Sequence, residues 1–327
     1  MSKRRISVLV AVLASMILTS TACVKSDNDT HEVFNDPDAT PGYSLPDQPR
    51  VVALGWSDGA ISAELGVAPV AIYDWMNFGA DTKGVGEWDM AGMGTTTPEL
   101  LSSQSAGEFN MQQIEELKPD LILNVRAKSD DDITTNLSKI APVVTAPDDT
   151  GDYAVNWQTQ TRLIGAALGK TAEADKLVLE TTTAQQTVRA GHPEFEGKTF
   201  VYAAKFGTAY GAYLPGDARF DFFAELGFAP NPPVTRLQSS GFFAQVPVER
   251  VSDLDAQAAL FTTISLPFTD LENDTLINSL AVVRDGRALM LPESDPAILA
   301  LSAGTPKSLA FALERITPQL ASITAAR

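Results

Sequence analysis

Residues 153–189 read as helix with a single interruption, and on either side of them short apolar runs alternate with helical stretches. That combination leaves few folds open. Strand and helix in alternation build a parallel sheet covered by helices, and a long helix between two such blocks sets them apart as lobes. Leu163, Ile164, Ala167, Leu168, Leu177 and Val178 fall at helical spacing, broken only at Gly169-Lys170. Residues 171–189 alone would extend about 28 Å, long enough for a stiff strut. Gly191-His192-Pro193 ends the stretch.

Before the strut, residues 50–54 form an apolar run, 58–65 have helical spacing and 69–73 form a second run, which makes a βαβ unit. Helical residues 111–117 then stop at Lys118-Pro119-Asp120 ahead of a strand over 121–125. The acidic groups of 129–132 suit a helix N-terminus, and 140–145 give a further strand. After the strut, a strand over 199–204 opens the second block, and a helix near 306–316 closes it. Residues 112–123 can be laid over 249–260 as a polar helix start running into a strand, a weak repeat that supports two similar lobes. The expected fold is α/β: two parallel-sheet α/β lobes joined by a long rigid helix. The boundaries are 49–152 for the N-terminal lobe, 153–190 for the connecting helix and 191–327 for the C-terminal lobe.

The N-terminus reads as an export signal. Lys3, Arg4 and Arg5 precede an apolar stretch, 6–18, too short to span a bilayer, and Ser20 and Ala22 are small residues suited to cleavage. Residues 1–22 are therefore expected to be a signal peptide. The next residue, Cys23, is the only cysteine. The segment resembles a bacterial lipoprotein signal, which implies lipidation of Cys23 and a protein lipid-anchored to the outer side of the cell membrane; Ser20 stands where that pattern prefers Leu. Simple secretion with an idle Cys23 is the alternative. Residues 23–48, rich in Asp, Asn, Ser and Pro, read as a disordered tether with His31 solvated in it.

Formal charge is −17, and −20 once Lys3, Arg4 and Arg5 are lost. So acidic a chain is not suited to nucleic acid or to docking on anionic lipid by charge. With no possible disulfide it must rely on a hydrophobic core, and a monomer of this length can build one.

Arg50-Val-Val-Ala-Leu-Gly-Trp56, the run from Phe109 through Lys118-Pro119-Asp120 to Leu123, Leu137-Ser-Lys-Ile-Ala-Pro142 and Val282-Val-Arg-Asp-Gly-Arg287 resemble the iron-siderophore-binding lipoproteins of bacterial ABC importers. The resemblance runs from Arg50 to the C-terminus. It implies two α/β lobes joined by a rigid helix, a ligand in the cleft between them, and delivery of a ferric siderophore to an ABC permease with its ATPase subunits. Iron would arrive inside its chelator, with no separate cofactor. The Lys-Pro-Asp-Leu phrase is shared with haem and vitamin B12 binders, which stay open as alternatives.

Ligands of parallel α/β sheets sit beyond the C-terminal strand ends. There the sequence places Trp56, Tyr73, Trp75 and Arg126, with Trp157 at the start of the strut. Aromatic side chains suit a broad ligand with π surface, although Trp56 and Trp75 would equally serve as caps on the sheet. Arg126 would supply a positive spot for ligand oxygens. Lys139 is either a second ligand-facing cation or a solvated helix residue. Second-lobe candidates are Tyr210, Arg219, Arg236 and Phe242, with Tyr213 and Phe243 beside them. The resemblance implies permease docking through an acidic residue on each lobe. Glu249 matches in the second lobe, and Gln112 stands at the corresponding place in the first. Gly55-Trp56-Ser57-Asp58-Gly59 fits the nucleophile-elbow pattern between strand and helix, but His192 is the only histidine beyond it and lies at the strut's end, so an esterase using Ser57 is the lesser reading. Asp130-Asp131-Asp132 lacks calcium-loop spacing, and two distant histidines give no metal site. Residues 88–94, with Met90 and Met93, read as a flexible loop beside the cleft.

Overall fold

The computed structural model describes residues 30–103, 108–237 and 239–325. The signal peptide and Cys23 lie outside the described residues. The first lobe is a six-stranded, wholly parallel sheet of β1 (Val33–Phe34), β2 (Val51–Ala53), β3 (Ala71–Tyr73), β4 (Glu99–Leu101), β5 (Leu121–Asn124) and β6 (Val143–Thr145), in the order β1-β6-β5-β2-β3-β4. Alternate residues face opposite sides. Val51, Ala53, Leu121 and Leu123 pack on one face, while Val52, Leu54, Ile122 and Val143 pack on the other. The covering helices are α1 (Asp58–Glu64), α2 (Met90–Met93), α3 (Met111–Glu116) and α4 (Asp131–Ser138). Asn110 and Asp130 cap α3 and α4 by accepting from the second and third backbone N–H groups, so the acidic run at 130–132 is a helix start.

Two expectations need correction here. Over residues 30–48 there is no disordered tether: β1 pairs with β6, His31 N donates to Ser138 O at 2.6 Å, and Tyr43 and Leu45 pack against the core. A two-residue apolar run carries no visible periodicity, and its partner lies over a hundred residues away. Residues 88–94 are not a loop either. They contain α2, and Met93 is fully buried.

The connecting helix expected over 153–190 is two helices, α5 (Trp157–Ala167) and α6 (Thr171–Gly191). Tyr153 has φ 56°, so helix begins later, with Asn156 as its cap. Gly169 at φ 66° ends α5. The helices pack so tightly that a Cβ on Gly165 would lie 2.3 Å from Ala174 Cβ. The bridge itself is α6, 21 residues and about 31 Å long.

The second lobe holds β7 (Thr199–Phe206), β8 (Ala209–Tyr213), β9 (Ala229–Pro230), β10 (Ser239–Ser240), β11 (Phe243–Val246), β12 (Ala258–Thr263) and β13 (Ala288–Met290). The order is β10-β11-β8-β7-β12-β13, with β9 beside β7. This sheet is mixed: β12 runs parallel to β7 and β13, whereas β7, β8, β11 and β10 pair antiparallel. One face packs on α6, α7 (Ala218–Glu225), α12 (Pro296–Ala303) and α13 (Pro306–Ala325). Leu271, Ile277 and Val282, from α9 (Thr269–Glu272), α10 (Thr275–Ser279) and α11 (Ala281–Arg284), cover the other; α8 (Pro232–Thr235) adds Val234. The proposed repeat falls on matching elements, since α3 leads to β5 and a 3-10 helix, Val248–Leu254, leads to β12. Among the described residues no helix is long and apolar enough to cross a membrane.

Candidate functional site

Between the lobes lies a cleft of about 1020 Å³. The chain just past β2 and β3 contributes Trp56, Trp75 and Asn77; the ends of β7 and β8 contribute Phe206 and Tyr213; the segments after β12 and β13 add Ser265, Phe268 and Glu293. All but Tyr213, which ends the antiparallel β8 level with the middle of β7, sit at or beyond C-terminal strand ends, so the loops leaving the parallel strands of both sheets face each other across the gap. The backbone there is unusual. Ser57, Asn77, Tyr153 and Ser265 have φ between 53° and 65°, a region costly for residues with side chains and frequent at functional sites.

Trp56 is the centre of the first-lobe wall. Its ring stacks on Trp75 (centroids 4.4 Å apart, 7° between planes) and on Tyr153 (4.2 Å, 27°), with Phe242 edge-on at 6.2 Å. Half-exposed rings in this arrangement present π surface on a rigid mount. Across the cleft, Arg219 stands over the Tyr213 ring, its Cζ 3.9 Å from the ring centre, and 5.3 Å from that of Phe242. Asp217 orients it with two hydrogen bonds of 2.7 Å.

Arg126 lies beneath the cleft and not in it. It is 2 % exposed, with Cζ 5.7 Å from the Trp56 ring centre. Its Nη1 donates to Ser302 O and Ala303 O at 3.3 and 3.2 Å, and its Nη2 stands 3.7 Å from Asp217 Oδ2, too far for a hydrogen bond. Burial lowers its pKa to about 10 against the pull of Asp217, which leaves it cationic at neutral pH. Burial alone would raise the Asp217 carboxyl, but Arg219 and Arg126 outweigh it and hold the group below its ordinary value. Asp58, wholly buried, accepts from Val125 N and Gln160 Nε2, both at 2.7 Å. The arginine expected to meet ligand oxygens therefore joins the lobes.

Of the other expected ligand-binding residues, Trp56, Trp75, Arg219 and Phe242 come together in the cleft with Tyr213 and Phe243. The rest do not. Tyr73 packs edge-on against Phe109 outside the cleft. Trp157 is 1 % exposed in the second-lobe core, where the first turn of α5 plugs into it. Lys139 ends α4, which starts at the C-terminal side of the sheet and runs back to the far side; it bonds Asn136 instead. Tyr210 faces the opposite side of β8 from the cleft and donates to Asp274 at 2.6 Å. Arg236 is exposed at the end of α8, outside the cleft lining. Phe206, Phe268 and Glu293 were missed, although the strand-end rule that found Trp56 and Trp75 reaches them once applied to β7, β12 and β13. Tyr153 falls inside the stretch whose spacing predicts helix, so the strand-end rule does not reach it.

Ser57 does occupy a left-handed turn between β2 and α1, but its hydroxyl donates to Ala303 O at 2.7 Å. His192 pairs with Glu194 at the end of α6. No group of His, Cys, Asp and Glu among the described residues is arranged to hold a metal. Gln112 and Glu249 are both exposed, on the helical turns that precede β5 and β12.

A family model described as periplasmic binding protein matches residues 51–286. By structure the chain is similar to a periplasmic solute binding protein of Mycobacterium smegmatis, at 26% identity and TM-score 0.73, over 88% of this chain and 98% of that one. It is similar to PiaA of Streptococcus pneumoniae, solved with ferrichrome, at 21% identity and TM-score 0.71 over 86% and 96% of the two chains. The same holds for SirA of Staphylococcus aureus, solved with staphyloferrin B, at 20% identity and TM-score 0.68 over 85% and 94%. Among curated proteins there is no match. With two α/β lobes, a helical bridge, a cleft between strand ends and a family match across most of its length, this chain belongs to the periplasmic binding protein family.

Proposed function

We propose that this protein captures a ferric siderophore and delivers it to an ABC permease, held near the membrane by lipid at Cys23. The observation that carries the reading is the cleft itself: about 1020 Å³, walled by Trp56, Trp75, Phe242, Phe243 and Tyr213, open enough for a bulky chelate. Support comes from PiaA and SirA, similar in fold and solved with ferrichrome and staphyloferrin B. Binding is reversible burial between lobes that move little, because α6 is long and packed along its length against α5 and α13. Glu249 and Gln112, exposed at equivalent positions of the two lobes, are the docking contacts for the permease. The protein does no chemistry on its cargo; Ser57 Oγ is occupied as a donor to Ala303 O.

The stacked tryptophans make the test direct. Their fluorescence should be quenched by at least one ferric siderophore at concentrations below about 1 μM, corresponding to roughly 8 kcal/mol of binding free energy. Silence toward every chelate, with quenching by haem or cobalamin, would reassign the ligand.

A further inference from the structure

The charged groups in and under the cleft already balance one another. Among the described residues lining it, only Arg219 and Glu293 are charged. Arg219 is held by Asp217 through one edge of its guanidinium, Nε and Nη2 each donating at 2.7 Å. Beneath, Arg126 lies between Asp217 and Asp58. Burial pushes the Asp58 carboxyl up to about 6, which leaves it ionised at neutral pH. Two guanidiniums thus face two carboxylates, and the floor is neutral before any ligand arrives. Glu293, exposed at the rim with one oxygen accepting from Ser265 N at 2.8 Å, tips the lined cleft to net negative. The chain around it carries −17.

Ferric chelates differ sharply in charge. Three singly charged hydroxamates cancel the ferric ion, and a pendant ammonium makes such a chelate a cation; three doubly charged catecholates leave a trianion. A trianion would find no cation here whose charge a carboxylate does not already balance, and drawing Arg219 away would strip Asp217 of its main partner in a dry site. A neutral chelate needs only what the cleft offers: aromatic faces, and uncharged hydrogen-bonding groups such as Asn77, Ser265, Ser294 and the partnerless Thr262 hydroxyl. Resting on the reading that the cargo is a ferric chelate, we propose that this cleft selects neutral or cationic tris-hydroxamates and rejects tris-catecholates, with Glu293 setting the sign.

Calorimetric titration of the full soluble body with ferrichrome (neutral), ferrioxamine B (cationic) and ferric enterobactin (trianionic), with haem and cobalamin alongside, decides the matter. Both hydroxamates should bind at least about tenfold tighter than the catecholate. In Glu293→Gln, ferrioxamine B should weaken roughly threefold or more while ferrichrome changes less than about twofold. A catecholate that binds as tightly as the hydroxamates, or a Glu293→Gln protein that weakens both hydroxamates equally or neither, overturns the inference and leaves chelate capture standing. Binding of haem or cobalamin alone removes the reading on which it rests.

Discussion

Arg126 is where the strand-end rule and the structure part company. It does follow β5, as Trp56 follows β2, so its place along the chain is legible from apolar runs alone. Its depth is not. Asp58, Asp217 and the carbonyls of Ser302 and Ala303, which draw it under Trp56, come from three distant parts of the chain, and no local pattern links them. Arg126→Ala should therefore act on stability before it acts on binding. Asp217 keeps Arg219, so the loss should be below the 3–5 kcal/mol of a fully broken buried pair, on the order of 2–3 kcal/mol. Chemical denaturation reads it directly. Calorimetry on the folded fraction should find ligand affinity within a few-fold of wild type; full stability with binding abolished would return Arg126 to the ligand. Trp56 and Trp75 were legible for a simpler reason, since large rings at a strand end have either a sheet or a ligand to cover, and here they stand half-exposed in a stack.

Among the elements, the turn from α12 to α13 has the most to do and is the least apparent in sequence. Ser302 and Ala303 supply the carbonyls that meet Arg126 and Ser57. Gly304 then reverses the chain at φ 65°, where an added Cβ would lie 2.9 Å from Ala218 Cβ and 3.3 Å from Arg126 Nη1. Gly304→Ala combines a left-handed backbone with two close approaches. It should cost about 1–3 kcal/mol of unfolding free energy and open the join between lobes, visible as faster amide exchange at Ser57 and Ala303. An unshifted denaturation midpoint would show that the turn relaxes freely. Of the caps only the acidic run at 129–132 was legible; Asn110, Asn156 and Asp295 also sit one residue ahead of a helix and accept from N–H groups of its first turn, but Asn156 falls inside the stretch whose spacing predicts helix. The short strands β1 and β4 escaped because β1 is two residues long and β4 opens on the exposed Glu99 after a run of threonines and Pro98, so neither shows an apolar run, and only their neighbours in the sheet make them strands.

At the level of the whole molecule, the two lobes and their bridge were legible because strand and helix periods are local, whereas the contacts that fix one lobe on the other are not. One such contact titrates. Glu64 on α1 and Asp89 before α2 are buried together against Thr305 and Lys307 at the start of α13. Glu64 Oε2 and Asp89 Oδ1 have no other donor, and a proton held between them satisfies both. Burial raises both carboxyls, and the charge of Asp89 adds to the rise at Glu64. For Asp89, the raised carboxyl stabilises the fold fully below the unfolded-state value near 3.8 and loses that contribution as pH climbs through the folded value of about 6, and the raised Glu64 acts in the same direction. Asp89→Asn removes the second ionisation, so its stability relative to wild type should rise from pH 5 to pH 8, by on the order of 1–2 kcal/mol. Urea unfolding at the two pH values checks this, and a constant difference would mean the pair is ionised throughout. The edge strand β1 bears on a different matter, the molecule's freedom of movement. The His31 N–H is tied to Ser138 O, so with the proposed lipid on Cys23 the chain from 23 to 31 could reach at most about 29 Å even if fully extended. A receptor anchored in that way would be moored close, with the β1 edge of its first sheet toward the bilayer. It would meet its permease by drifting in the plane of the membrane rather than by swinging out on a stalk.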